Sequence, residues 1–492
     1  MKQLLKNNMY LFFSVFITLN IIFLYYTTTF FIGNHDWDWV KGTTQVLSLS
    51  TGMFEARFGK FILNVLLFSG HIFPILNNFV SFILLSIGAV LLAKYWNINK
   101  LLSAFIVSIS FTATPFILGW LYFPINILGN FSAIPLVVGG LILIEKEKIL
   151  PKIIALLFFI LALGVYPSTM EMIFIVFFVR QIILKETNIR KVLKSFSIII
   201  LSLAIFKLLL IVLAHYHLIM SNYYNMELNS INDIIRKIPE FIKLFFSQLW
   251  TTIPFFPRML KLTGGIIVIL ALSSTIKNIR NIIFWFIICG ATILSSVLTS
   301  NINETALMPR VNFYGLNFLY AGSIAILLMQ KTIWRNFGYL FGLIYLVLSI
   351  NESIYAQKVW HLGKISETNL VMRMSSRIEE KSKILPLTPI LTDEISLRPK
   401  YYYNKFDKTT PYILERSFIV RHIPSGMFNF YAPNTLFYGS SQIRELTPDL
   451  YNYLRTVDTP WPNDKGLYID NEYAVIMSTR KGIEAIKAQL PK

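Results

Sequence analysis

The sequence predicts an all-α polytopic membrane domain of about 11 transmembrane helices, followed by a small C-terminal α/β domain outside the cytoplasm. Three observations predict it. Hydrophobic residues make up 55% of the 492 and charged residues only 14%, whereas a soluble globular domain carries roughly 25% charged. Apolar runs of about 20 residues, the length needed to cross a hydrocarbon core of about 30 Å, recur along the first two thirds of the chain. From Glu352 onward the runs stop, and the remaining stretch mixes 19 basic with 15 acidic residues. The expected division is therefore 1–351 as the membrane domain and 352–492 as one folded extracytoplasmic domain.

The first element follows Lys2 and Lys6. The apolar stretch Met9–Ile32 is too long for a signal-peptide core and lacks a small-x-small cleavage site, so it reads as a retained helix with its N-terminus in the cytoplasm. Ten more spans fit: 74–93, 101–119, 131–144, 150–165, 169–184, 195–215, 262–276, 282–299, 313–330 and 337–351. On this topology the even-numbered connections are cytoplasmic. They carry Lys94 and Lys100; Lys146, Lys148 and Lys152; Lys185, Arg190, Lys191 and Lys194; Lys277 and Arg280; Lys331 and Arg335, as the positive-inside rule requires. The formal charge of +19 is thus mainly topological and does not point to nucleic acid. The single cysteine, Cys289, lies inside an apolar run and excludes an intrachain disulfide.

Between spans, 56–73 is an apolar stretch with a basic start, which suits an interfacial helix, and Tyr216–Lys261 mixes cations with Phe and Trp in the same manner. The tail is expected to hold a helix near 364–381 and strands at Pro389–Leu391 and Tyr473–Met477. Trp360, Tyr401–Tyr403, Trp461 and the aromatic run from Phe428 either pack its core or stack on sugar rings.

Eight of the eleven acids in the membrane domain fall on the outer side, and three of them, Asp36, Asp38 and Glu55, lie in the first outer loop. In Gly33-Asn34-His35-Asp36-Trp37-Asp38-Trp39, two carboxylates between Trp37 and Trp39 can position a hydroxyl-rich substrate and supply a general base; the plainer reading is an aromatic belt with solvated acids. Asp-x-Asp also resembles the metal motif of nucleotide-sugar transferases, but those donors are cytoplasmic and this loop is outside. Arg57 can hold a phosphate by bidentate hydrogen bonds, and Lys60 adds charge or simply binds lipid headgroups. Arg310, after Pro309, needs a counter-charge: Glu304, Glu171 or a phosphate. Arg258, after Phe255-Phe256-Pro257, is a weaker copy of that case. Lys207 lies mid-span with no second mid-span charge, which suits a structural role or a water-filled cleft. No His-Glu-x-x-His or Cys-His set, Walker A loop, dinucleotide fingerprint or nucleophile elbow occurs, so no metal and no cofactor is expected.

These features together resemble the serotype-converting O-antigen glucosyltransferases of the Gtr type, integral membrane enzymes of the GT-C class. The likeness rests on the acidic first outer loop, the Arg57-Phe58 start of the next helix, the Tyr166-Pro167-Ser168 turn, Pro309-Arg310 and the outer C-terminal domain. Members of that family often show adjacent acids and an Arg-Trp pair; here Trp37 separates the acids and the pair is Arg-Phe, which leaves Asp36 and Asp38 both open as the base.

The resemblance implies a GT-C-like fold in the bacterial inner membrane, polyprenyl phosphate-glucose as donor and a lipopolysaccharide O-antigen or other surface glycan as acceptor. It implies partners upstream, a flippase and a polyprenyl-phosphate glucosyltransferase, and membrane lipid as solvent. The expected roles are Asp36, Asp38 and Glu55 catalytic; Arg57, Lys60, Arg258 and Arg310 on the donor phosphate; and Trp37, Trp39 and Tyr166 positioning substrate. An O-antigen polymerase or ligase is an alternative, though its key residues usually lie in large central loops. A lipid-linked sugar flippase is another, and it should line its path with polar midplane groups.

Overall fold

A computed structural model describes residues 2–29, 57–68, 74–114, 117, 120–121, 124–185, 188–216, 218, 231–251, 257–299, 314–381, 388–391, 447–470, 473–477 and 479–490. These divide into two compact units that part between Gln357 and Lys358.

The first unit is helical throughout its described length. Its elements are α1 (Lys2–Ile22), α2 (Leu24–Thr28), α3 (Phe58–Phe68), α4 (Pro74–Tyr95), α5 (Leu101–Thr112), α6 (Pro124–Ile144), α7 (Ile149–Val165), α8 (Thr169–Leu184), α9 (Ile189–His215), α10 (Ile231–Thr251), α11 (Arg258–Thr275), α12 (Ile279–Thr299), α13 (Tyr314–Leu328) and α14 (Thr332–Lys381), the last of which runs on into the second unit. Each expected span overlaps a described helix, the first being divided between α1 and α2, and the first, third and tenth run on into residues outside those described. Among the described residues four stretches, Ile75–Tyr95, Ile189–His215, Arg258–Thr275 and Thr332–Lys358, are long and apolar enough to cross a membrane, and six further apolar helical stretches are shorter. This makes the unit compatible with a multi-pass membrane protein.

Burial sorts these helices as a bundle in lipid would. α13 is buried at every position from Tyr314 to Leu328, as expected of a helix that is apolar on all sides. It packs against α5, α8 and α11. The outer helices turn large apolar side chains outward instead: Leu193, Leu201 and Leu208 on α9, Met259 and Ile269 on α11, Leu340 and Val347 on α14. Lys207 is exposed on the same surface of α9, next to Phe206, whose ring meets that of Phe58. Interhelical hydrogen bonds fasten the interior: Asn78 Nδ2 donates to Tyr26 O at 2.7 Å, Gln357 Nε2 to Ile22 O at 2.7 Å, and Thr114 bonds the Asn317 side chain.

Two findings refine the expected elements. Within the stretch 56–73 the helix α3 has its first turn buried against α6 and α7, while Ile62 and Leu66 further along it are exposed. The cause is steric. A Cβ added to Gly59 would strike the α7 backbone at Leu161 and Val165, and one added to Gly164 would meet the Phe58 ring at 2.5 Å, so two glycines let the helices touch. The second concerns α14. The last span and the tail helix are one unbroken helix of 50 residues, because nothing between them breaks helical hydrogen bonding even though the composition changes. The expected boundary after residue 351 therefore falls inside an element.

The second unit adds β1 (Thr388–Leu391), α15 (Pro448–Thr456), β2 (Leu467–Ile469), β3 (Tyr473–Ile476) and α16 (Arg480–Gln489) to the end of α14. The sheet order is β1-β3-β2, with β1 parallel and β2 antiparallel to β3. Leu450, Leu454, Val457, Tyr473, Val475, Met477 and Ile483 form its core. Trp461 lies under the Arg373 guanidinium at 5.2 Å, and its peptide bond to Pro462 is cis. Trp360 lies on α14, and the tail's remaining noted aromatics fall outside the described residues.

Candidate functional site

The site begins at a turn. Pro167 cannot continue α7, and the residue before a proline is pushed to extended backbone, which is where Tyr166 sits with φ −157° and ψ 127°. The Thr169 hydroxyl closes the turn by donating to Ala162 O at 3.0 Å and to Tyr166 O. Tyr166 thereby stands at the junction of α7 and α8. The Arg57 guanidinium lies over its ring at 4.7 Å from the centroid, within cation–π range. Trp120 meets Tyr166 edge-on at 4.7 Å and Tyr314 at 6.1 Å, both near perpendicular.

Lys60, one turn beyond Arg57, is only 6% exposed, and its stem lies 3.2 Å from where a Cβ on Gly129 would stand. Glu171 is fully buried in the first turn of α8, and its Oε2 accepts from the Gly315 backbone N–H at 2.6 Å. The carboxylate is thus placed at the N-terminal ends of both α8 and α13, where helix dipoles favour negative charge. One end of the bundle therefore gathers two cations, three aromatic rings and a buried carboxylate from α3, α6, α8, α13 and the segments that join them.

The opposite end is built otherwise. Arg180 Nε and Nη2 donate to Glu145 Oε1 and Oε2 at 2.5 and 2.6 Å, a bidentate pair, and the guanidinium covers the Tyr95 ring at 4.3 Å. Trp96 Nε1 donates to Val176 O at 3.0 Å. Glu171 and Arg180 lie nine residues apart on α8, about 14 Å along its axis.

No protein-family model, no curated protein and no solved structure matches the chain. The site is accordingly read from its own chemistry.

Of the residues singled out from sequence, Arg57 and Tyr166 are brought together, and Lys60 is buried one turn further along α3 against Gly129. Arg258 is exposed on the first turn of α11 and takes no part in the contacts just described. The neighbouring Lys261 does different work: it is buried and donates to Trp250 O at 2.8 Å, tying the start of α11 to the end of amphipathic α10. Asp36, Trp37, Asp38, Trp39, Glu55 and Arg310 lie outside the described residues. Among the described residues no three His, Cys, Asp or Glu side chains group as a metal site. Sequence reading missed Trp120 and Tyr314 and gave Glu171 only a pairing role. The available signal was that Trp120 and Tyr314 both flank apolar runs on the expected outer side, which a belt of interfacial aromatics would equally produce.

Proposed function

We propose that the chain is an integral membrane glycosyltransferase that moves glucose from polyprenyl phosphate-glucose to O-antigen repeat units on the outer face of the bacterial inner membrane. The observation that carries this reading is the Arg57 guanidinium held over Tyr166 with Lys60 one turn further on, at the bundle end opposite the Arg180–Glu145 pair. A lipid-linked sugar phosphate is met at a membrane face, and two cations fixed there suit its phosphate. The topology supports the same side. On the expected topology of eleven spans and a cytoplasmic N-terminus, the Lys-rich connections beside Glu145 and Arg180 are cytoplasmic and Arg57 is on the outer side.

In this reaction Asp36 or Asp38 takes the acceptor hydroxyl proton as that oxygen attacks the anomeric carbon. The bond from that carbon to the phosphate oxygen breaks, and its electron pair leaves on the phosphate. Arg57 and Lys60, with Arg310 and Arg258 in support, stabilise the departing charge. One in-line displacement inverts the anomeric centre, and fixed guanidinium groups do the electrostatic work a metal does elsewhere. The test is transfer of labelled glucose from polyprenyl phosphate-glucose in membranes that contain the acceptor. Asp36→Asn or Asp38→Asn should abolish it; full activity in both overturns the assignment of the base.

A further inference from the structure

Of the four membrane-length stretches, α9 is the least enclosed by the rest of the chain. One of its faces is occupied. Ile199, Ser202, Phe206 and Leu210 are buried, the helix packs against α7, and the Phe196 ring meets those of Phe177 and Phe178 on α8 at 6.1 and 5.4 Å. The other face is open. Leu201, Ala204, Leu208 and Ile211 are exposed along it, and so is Lys207. Lipid tails can cover the apolar members of this face, but they offer nothing to an ammonium group.

Depth decides what can. Ser195 to His215 measures about 30 Å along the helix axis, the thickness of a hydrocarbon core, and Lys207 stands about 12 Å from its outer end. That puts it within about 3 Å of the middle. A lysine in such a place can extend toward the nearer headgroups. Here those are at the C-terminal end of α9, whereas a helix inclines its side chains toward its N-terminus, so reaching them runs against the helix. Charged groups elsewhere in the spans are placed differently: Lys94, Lys152, Glu171, Arg180, Lys261 and Arg280 each lie within about one turn of a helix end. Among the described residues no hydrogen bond or ion pair reaches the Lys207 ammonium.

We infer that this face of α9 seats a membrane-spanning helix of another protein, one that presents an Asp or Glu to Lys207 near the bilayer midplane. Charges persist at that depth by pairing with one another, and a carboxylate on a neighbouring helix is the group that can be there. Ala204, three residues before Lys207 on the same face, leaves room for the second backbone to come close. A second copy of this chain does not answer the charge with the described acids of its spans, because Glu145 is held by Arg180 and Glu171 is buried. The inference is independent of the transferase reading.

The experiment places the photo-crosslinker p-benzoylphenylalanine at position 208 of the full-length chain, in the cells that make it, and identifies the adduct by mass spectrometry. The expected adduct is a different membrane protein, joined through a span that holds an Asp or Glu. Lys207→Glu should lower its yield about three- to tenfold at unchanged protein level, and changing the partner's acid to lysine should restore the yield in that variant. Because Lys207 is exposed, its replacement leaves the packing against α7 alone, and the melting temperature in detergent should stay within about 2 °C of wild type. No adduct, or adducts only with lipid, with a second copy or with a span that lacks an acid, overturn the inference. A yield that Lys207→Glu leaves unchanged, or that the paired charge reversal fails to restore, overturns it as well. Glucosyl transfer measured in the same membranes reports on the transferase reading separately.

Discussion

The two ends of the helical bundle use the same parts to opposite ends. At one, Arg180 covers Tyr95, its guanidinium fork is filled by Glu145, and the neighbouring Trp96 finds a carbonyl. At the other, Arg57 covers Tyr166, but the neighbouring Trp120 finds no acceptor among the described residues, and Asn130 and Ser168 are in the same condition. A cation on an aromatic ring is therefore no signature of function by itself. The ends differ in what meets the cation: Glu145 fills the Arg180 fork, although the Tyr95 hydroxyl beneath it has no hydrogen-bond partner among the described residues.

The comparison yields graded tests. The largest effect should come from Arg57→Ala, which removes the proposed phosphate contact and should lower glucosyl transfer by about 10²–10³-fold with protein level and melting temperature near wild type. Gly59→Leu should follow at about 10²-fold, because a side chain there collides with the α7 backbone and carries Arg57 away from Tyr166; unlike Arg57→Ala it should also lower the melting temperature. Arg180→Ala should do the reverse of Arg57→Ala, lowering the melting temperature in detergent by about 3–8 °C while specific activity stays within a few-fold. Lysine at that position should recover little, since it cannot fill both carboxylate oxygens. The smallest effect is expected of Glu171→Gln, which keeps an oxygen for the Gly315 N–H but removes charge from two helix ends; activity should fall by less than about tenfold. Equal effects of Arg57→Ala and Arg180→Ala on activity and on stability would erase the distinction between the ends.

Much of the fold was legible because hydropathy is local. Every expected span overlaps a described helix, and the strands Thr388–Leu391 and Tyr473–Ile476 lie where short β-prone runs mark them. β2 was missed because three residues carry no period. α14 was read as two helices because composition changes at Glu352, yet helical hydrogen bonding takes no notice of a change in polarity. The burial of the α3 start was illegible for a different reason. It depends on Gly59 and Gly164 meeting across the fold, while Arg57 and Lys60 taken alone suggest a surface. In the site, Arg57, Lys60 and Tyr166 stood out as residues able to hold a phosphate or follow a turn. Trp120 and Asn130 did not, and Ser168 did only as part of a turn, since an unsatisfied hydrogen bond is a property of the folded neighbourhood and of no residue type.

The central claim is that this chain adds a sugar at the outer membrane face. The most direct measurement compares the O-antigen of cells with and without the chain, by mass spectrometry for composition and NMR for linkage. A glucosyl branch present only in cells that make the protein, and lost with Arg57→Ala but kept with Arg180→Ala, is the predicted result. Identical glycans in all of these cells would contradict it.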